Sequence, residues 1–373
     1  MKSTMAAAQP SAHQKERFSN LELLRILAML LIIAHHYVGN SGIADLYDRQ
    51  NVTLNMVFLQ LWAMWGKAAI NVFVLISGYF MCRSHLTPGR VLKLWLEIKF
   101  YDCLLFPALC LLGYHTFNFQ NLWDTLFYLE SGINRGFTAS FMAFYLFIPF
   151  YNQLIHAMDR RKHGILVIML LIFYTGTGTV FASASFSEVG WYMALYFTAS
   201  YLREYPSRFT ESCKWNGLCF LVFTVLAGLR ILVCDWFYPQ EDVYFLLSDS
   251  HKLHAFVLGL TAFLTFKNMK IPQSRLINRI SATTFGVLLI HAYSDGMRTL
   301  LWKDLLNVPG MYTAGLAGLV VHAAVSMLGV FAVCAGLDYL RIVLIQKPVL
   351  NFLFQKFPGL LKPILPVSDE KNT

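Results

Sequence analysis

The fold is decided by residues 21–37, which read LELLRILAMLLIIAHHY, an apolar run that carries one glutamate, one arginine and two histidines. The composition of the whole chain extends this pattern, because 57% of its 373 residues are hydrophobic and only 14% are charged. Soluble proteins carry about 25% charged residues. Most of the chain is therefore predicted to lie in a lipid bilayer, where about 20 residues make one spanning helix.

Ten apolar segments follow one another along the chain. Placing the amino terminus in the cytoplasm puts 21 of the 30 Lys and Arg residues on inner segments and 5 on outer segments, as the positive-inside rule requires. We therefore predict an all-α, polytopic membrane helix bundle of about ten transmembrane helices with both termini inside. The segments are 21–39, 61–81, 93–113, 137–156, 163–182, 189–202, 216–237, 253–266, 282–301 and 312–337.

Three regions are expected: a cytoplasmic tail over 1–17, a membrane domain over 18–340 and a second cytoplasmic tail over 341–373. The net charge of +9 is explained by basic cytoplasmic loops, so nucleic-acid binding is not predicted. The seven cysteines form no Cys-x-x-Cys pair and lie mostly in apolar runs. Neither disulfides nor a bound metal ion is therefore expected.

Ionisable residues inside the first segment are candidates for function, because burying a charge in a bilayer is costly. Arg25 and His36 are eleven residues apart, which on an α-helix is about 1100° of rotation and about 16.5 Å of rise. They therefore share one stripe of the helix, and His35 points roughly 80° away. The alternative is that Arg25 reaches lipid phosphates and both histidines lie in the outer interface.

The second segment carries Lys67 and Asn71, which are i, i+4 neighbours on a helix, followed by Ser77, Gly78 and Tyr79. Small residues at such a step let a helix or a ligand approach the backbone closely, and helix packing alone is the alternative explanation.

Two further stretches carry candidate residues. A basic group, with Arg90 and Lys93, follows the second segment and could hold phosphates or form an ordinary inner loop. The segment 281–291 ends with His291 at mid-membrane, either in a site or as a satisfied core histidine.

Several of these stretches together resemble acyltransferase family 3, the bacterial integral-membrane acyltransferases. The family motif of an arginine, ten residues and a histidine is met by Arg25 and His36, and residues 71–79 resemble its second-helix signature. Arg90 and Lys93 are similar to the basic pair that follows, and residues 281–291 are similar to its late Ser-Thr-Phe-Gly segment. The resemblance runs across residues 17–340.

The resemblance implies transfer of an acyl group, commonly acetyl from acetyl-CoA, to a hydroxyl of a surface glycan, by a multi-pass protein of the bacterial plasma membrane. Acyl-CoA is then a donor substrate, and no cofactor is permanently bound. The catalytic residues are His36 and Arg25, with His36 acting as general base or carrying the acyl group covalently. The residues expected to bind acyl-CoA are Arg25, Arg90, Lys93, Lys67, Asn71, Ser77 and Tyr79. The residues expected to support the site are Glu22, His35 and His291.

Two other classes of protein share this composition. A polysaccharide exporter or polymerase is also multi-spanning and rich in aromatic residues, but it needs no acyl donor. A membrane sensor has no enzymatic activity at all. The sequence predicts neither the acceptor glycan nor the oligomeric state.

Overall fold

The structure, a computed structural model, describes residues 18–127, 135–181 and 186–365. All regular secondary structure in these ranges is helical, as predicted, and the predicted tail over 1–17 lies outside them. The α-helices are α1 (Ser19–Gly39), α2 (Leu54–Ala63), α3 (Gly66–Met81), α4 (Pro88–Leu111), α5 (Phe119–Phe127), α6 (Arg135–Ala157), α7 (Arg160–Leu171), α8 (Thr177–Val180), α9 (Glu188–Glu204), α10 (Cys213–Phe237), α11 (Leu253–Asn268), α12 (Arg275–Ser281), α13 (Thr284–His291), α14 (Asp295–Arg298), α15 (Leu316–Arg341) and α16 (Lys347–Lys356).

Five helical stretches in the described ranges are long and apolar enough to cross a membrane. These stretches agree with the predicted helical membrane protein. The number of ten spans and their orientation stay predictions. The five stretches are Ser19–Gly39, Leu54–Met81, Arg160–Val180, Cys213–Phe237 and Leu316–Lys356.

Helix α1 lies at the centre of the bundle. It packs against α2, α3, α11, α12, α13 and α15. Its first turn also closes the end of α11, because the side-chain amide of Asn20 donates to the carbonyl oxygens of Phe266, Lys267 and Met269 at 2.9, 3.0 and 3.2 Å. The last carbonyls of a helix have no partner within the helix, so these bonds satisfy groups that would otherwise be unpaired.

Several helix starts outside the apolar stretches are fixed by side-chain caps. Thr87 accepts a hydrogen bond from the backbone N–H of Arg90 at the start of α4. Asp159 caps α7 in the same way through the N–H of Lys162, and this hydrogen bond lowers the pKa of the Asp159 carboxyl. Both caps are short polar residues of the type that favours a helix start.

Helix α4 carries charged residues within an apolar segment, and the structure pairs them. Lys99 Nζ lies 2.9 Å from the Asp102 carboxylate and 2.8 Å from the carbonyl oxygen of Thr125 in α5. Glu97 lies 2.9 Å from the Arg341 guanidinium in α15. A buried charge is tolerated when an opposite charge and hydrogen bonds compensate for lost hydration, so α4 stays helical through this region.

The predicted single span over 282–301 differs from the structure, which breaks it into short helices. Helix α13 has only eight residues, too few to cross a bilayer, and it ends at His291. Helix α14 then begins at Asp295, and the side chain of the preceding Ser294 accepts from the backbone N–H of Met297. The break places the end of a helix, with its histidine, inside the bundle.

Helix α13 packs closely against α15 at Gly286. A Cβ atom added there would lie 2.1 Å from Cγ of Asp338. Asp338 is fully buried and accepts hydrogen bonds from the Tyr101 hydroxyl and from Nε of Arg341, both at 2.7 Å. The absence of a side chain at Gly286 therefore leaves room for a buried charged cluster.

We expect Gly286→Val to destabilise the protein by about 1–3 kcal/mol, the usual cost of overpacking a core, because the new side chain collides with Asp338. Thermal unfolding in detergent measures this. Gly336→Ala in α15 is the control, since nothing lies within 4 Å of a Cβ there, and it should raise stability slightly. A Gly286→Val protein that unfolds no earlier than wild type would contradict the close packing.

Candidate active site

Three consecutive ring side chains near the C-terminal end of α1 bind three different helices. Nδ1 of His35 lies 2.8 Å from a carbonyl oxygen of α2, and Nδ1 of His36 lies 3.0 Å from Nε2 of His291 in α13. The Tyr37 hydroxyl lies 2.9 Å from Nδ1 of His322 in α15. Because successive helical residues point about 100° apart, one turn of α1 holds three neighbours at once.

The hydrogen bonds of the two facing histidines determine which nitrogens carry protons in the neutral rings. Nδ1 of His291 lies 2.6 Å from the carbonyl oxygen of Val287, which only accepts, so Nδ1 carries the proton. Nε2 of His291 then accepts from Nδ1–H of His36. The remaining nitrogen of His36, Nε2, therefore keeps its lone pair. His291 is 1% exposed, whereas the His36 ring is partly exposed.

The two histidines form a hydrogen-bonded pair. Their nitrogens are 3.0 Å apart, an ordinary hydrogen-bond distance. Across the described ranges, no three His, Cys, Asp or Glu side chains are placed to hold a metal ion. The geometry is thus suited to proton transfer.

Two cations lie close enough to His36 to interact with it electrostatically, Lys67 in α3 and Arg298 in α14. Arg298 also acts on His291 and lies 3.5 Å from the Asp295 carboxylate. Positive charges beside a buried imidazole favour its neutral form and can stabilise negative charge that develops on a substrate.

Asn71, predicted to bind acyl-CoA, is fully buried and holds three elements together. Its amide nitrogen donates to the carbonyl oxygens of Ser250 and Ala255 at 2.7 and 3.1 Å. Its amide oxygen accepts from the indole N–H of Trp191 at 2.9 Å. These bonds tie α3 to α9 and α11, so the structure places this side chain in the packing of the bundle.

The other candidates on α3 also contact the protein. Ser77 donates to the carbonyl oxygen of Phe73 in the preceding turn at 2.8 Å. The Tyr79 ring lies under the guanidinium of Arg203, with 4.3 Å between the guanidinium carbon and the ring centre. Of the predicted residues on α3, Lys67 is the one that the structure brings towards His36.

The N-terminal end of α1 carries a second polar group, around Arg25. Nη1 of Arg25 lies 3.4 Å from the carboxylate of Glu22, which also accepts a hydrogen bond from the Ser281 hydroxyl. The Glu22 side chain is buried and that of Arg25 is 27% exposed. This group connects α1 to α12 at the opposite end of the helix from His36.

The basic pair on the first turns of α4 is placed differently. Nη1 of Arg90 donates to the carbonyl oxygen of His85 at 2.7 Å and to the Ser84 hydroxyl at 3.3 Å. Lys93 is exposed. The turn before α4 therefore orients Arg90 and leaves the Lys93 ammonium at the surface.

Comparison with known proteins gives a family. The sequence profile of acyltransferase family 3, described as an acyltransferase domain, matches residues 18–339. The chain belongs to this family. No curated protein and no solved structure matches it. The family match confirms the resemblance seen in the motifs. Together with the apolar helices, it indicates a membrane acyltransferase.

Sequence reasoning did not single out two residues that the structure places around this end of α1. Arg298 lies near the end of the apolar segment 282–301, and the break after His291 brings it towards the histidine pair. His322 lies in an apolar run, and the signal for its role was Tyr37, whose hydroxyl needs a partner when buried.

We expect His291→Leu to lower the turnover of the acyltransferase by about 10- to 100-fold, the usual effect of removing a group that orients a reactive side chain. The reason is that His36 loses the acceptor that fixes its proton on Nδ1. The rate of acyl transfer by the purified, reconstituted protein measures this.

His322→Leu is the matched control, because it also removes a histidine bonded to α1 but leaves His36 oriented. Its turnover should fall less than that of His291→Leu. Equal losses in the two variants would mean that the His36–His291 hydrogen bond has no special role.

Proposed function

We propose that this acyltransferase is an integral-membrane O-acyltransferase of the bacterial plasma membrane that moves an acetyl group from cytoplasmic acetyl-CoA to a hydroxyl of an extracytoplasmic glycan. The observation that carries the proposal is the hydrogen-bonded chain from Val287 through His291 to His36. It leaves Nε2 of His36 as a free base at the one partly exposed ring of the pair.

In the proposed reaction, Nε2 of His36 removes the proton of the acceptor hydroxyl as its oxygen attacks the thioester carbonyl carbon. A carbon–oxygen bond forms and the carbon–sulfur bond breaks. The proton held by His36 then passes to the departing thiolate, so the products are an acetyl ester and CoA. His291 keeps the ring of His36 oriented throughout.

Negative charge develops on the thioester oxygen in the transition state, and a nearby cation stabilises it. Lys67 is the best-placed of the residues on α3 that are predicted to bind acyl-CoA, because its charge acts on His36. Asn71 and Ser77 already form hydrogen bonds with backbone and indole groups of the protein. Arg298 is a second source of positive charge.

The donor is proposed to enter from the side on which the N-terminal end of α1 lies. Coenzyme A is polyanionic, and Arg25, Arg90 and Lys93 supply positive charge for its phosphates. Arg25 and His36 are separated by about 16.5 Å along α1, a distance that an extended pantetheine arm can cover. The thioester would then reach His36 while the nucleotide stays at the surface.

We expect His36→Ala to lower acetyl transfer by about 10²–10⁴-fold, the range contributed by a general base, with normal insertion into the membrane. Mass spectrometry of surface glycans, from cells that carry only the variant gene, measures this. His156→Ala in α6 is the control, since that ring bonds the backbone of its own helix at 2.6 Å. Wild-type acetylation in the His36 variant would disprove the mechanism.

A general base and an acyl-histidine intermediate are distinguished by trapping. We expect no acetyl group on the peptide that contains His36 when wild-type protein is incubated with acetyl-CoA alone and quenched, because the base acts only when the acceptor hydroxyl is present. Peptide mass spectrometry detects the adduct. Its appearance, and its loss on adding the glycan, would replace the base by a covalent mechanism.

A further inference from the structure

A cluster of polar side chains lies between α2, α10 and the segment that follows α1; we call Tyr47, Arg49, Gln60 and Asp235 the α2–α10 cluster. The Gln60 amide donates to Oδ1 of Asp235 at 3.1 Å, and Nη2 of Arg49 lies 3.7 Å from the same oxygen. Tyr47 is close enough to Asp235 to interact electrostatically. Gln60 and Asp235 are 1% and 2% exposed.

Each member of the α2–α10 cluster has a buried polar atom that makes no hydrogen bond to any described part of the chain. These atoms are the Tyr47 hydroxyl, Nε and Nη2 of Arg49, Oε1 of Gln60 and Oδ2 of Asp235. A buried polar atom without a partner is costly, and native proteins keep few of them. Because four neighbouring residues carry such atoms, we infer that a bound ligand supplies their hydrogen-bond partners.

The surrounding segments are already tied together by other bonds. Nη1 of Arg49 donates to the carbonyl oxygen of Glu241 at 2.6 Å, and the Tyr244 hydroxyl donates to the carbonyl oxygen of Gln60 at 2.7 Å. The side-chain amide of Asn55 donates to the carbonyl oxygen of Tyr312 at 2.9 Å. The atoms without hydrogen bonds are therefore not needed to close the loops.

The unsatisfied atoms define the chemistry of a ligand. Gln60 and Asp235 offer acceptors, Arg49 offers donors, and the Tyr47 hydroxyl can do either. A hydroxyl group donates and accepts, so neighbouring hydroxyls of a sugar can satisfy all four residues. The opposite charges of Arg49 and Asp235 balance, which favours a neutral sugar over a phosphate. Tyr47 and Tyr312, whose ring centres are 5.9 Å apart, offer apolar faces beside it.

The cluster lies close to the histidine pair along α2. Gln60 is three residues, or about 4.5 Å of helix rise, from Ala63, whose carbonyl oxygen binds His35. His35 is the direct neighbour of His36. The cluster and the His36 end of α1 therefore lie near each other, on the side that the predicted topology places outside the cell.

We propose that the α2–α10 cluster is the acceptor subsite, which binds the hydroxyl groups of a neutral sugar; the proposal rests on the proposed function. The test uses full-length protein in nanodiscs, radiolabelled acetyl-CoA, and surface polysaccharide purified from a strain that lacks the gene. In Gln60→Leu, Asp235→Asn and Tyr47→Phe, the KM for the polysaccharide should rise about tenfold, as for one lost hydrogen bond, and the KM for acetyl-CoA should change less than about twofold.

Asn55→Ala is the matched control, because Asn55 lies on the same helix, α2, and has its hydrogen bonds to the carbonyl oxygens of Tyr312 and Ala314 satisfied; it should lower thermal stability without raising the acceptor KM. Tyr47→Phe removes a single hydroxyl, so the acceptor KM can still be measured in this variant if Asp235→Asn fails to fold. Unchanged acceptor KM in the folded variants, or a rise that Asn55→Ala shares, would overturn the subsite alone. A wild-type protein that transfers no acetyl group to the polysaccharide would overturn the proposed function and the subsite together.

Discussion

The cost of removing polar groups from water constrains every helix of this protein. Inside a bilayer no solvent replaces a missing hydrogen bond, so each buried polar side chain must find its partner in another helix. Helix α1 meets this requirement along its whole length, from Asn20 and Glu22 at one end to His36 and Tyr37 at the other. The bundle is therefore held in register by polar contacts to one central helix.

This constraint also separates the two ends of the proposed site. The group around Arg25 and the histidine pair lie on the same helix but connect it to different neighbours, α12 and α13. Because α12 and α13 are consecutive short helices, both ends of the site are coupled to α1 through one broken segment. In the proposed reaction, donor and acceptor approach His36 from the two opposite ends of α1.

Local patterns in the sequence were sufficient for much of this structure. The apolar run of α1, the stripe that joins Arg25 to His36 and the family motif all depend on residues within a few turns of each other. Which side chains contact each other between different helices depends on long-range packing, and a local sequence pattern does not predict it. Arg298 lies near the end of an apolar segment and Arg341 at the start of the predicted tail, yet the structure brings Arg298 near His36 and pairs Arg341 with Glu97.

The short length of α13 has an electrostatic consequence. Peptide dipoles in a helix add up to a partial negative charge of about half an electron at its C-terminal end. A full span would place that charge in the interface, where water screens it. By ending at His291, α13 places it in the protein interior next to the imidazole of His36. There it opposes the positive field of Lys67 and Arg298, so in the proposed reaction His36 needs no carboxylate partner to accept a proton.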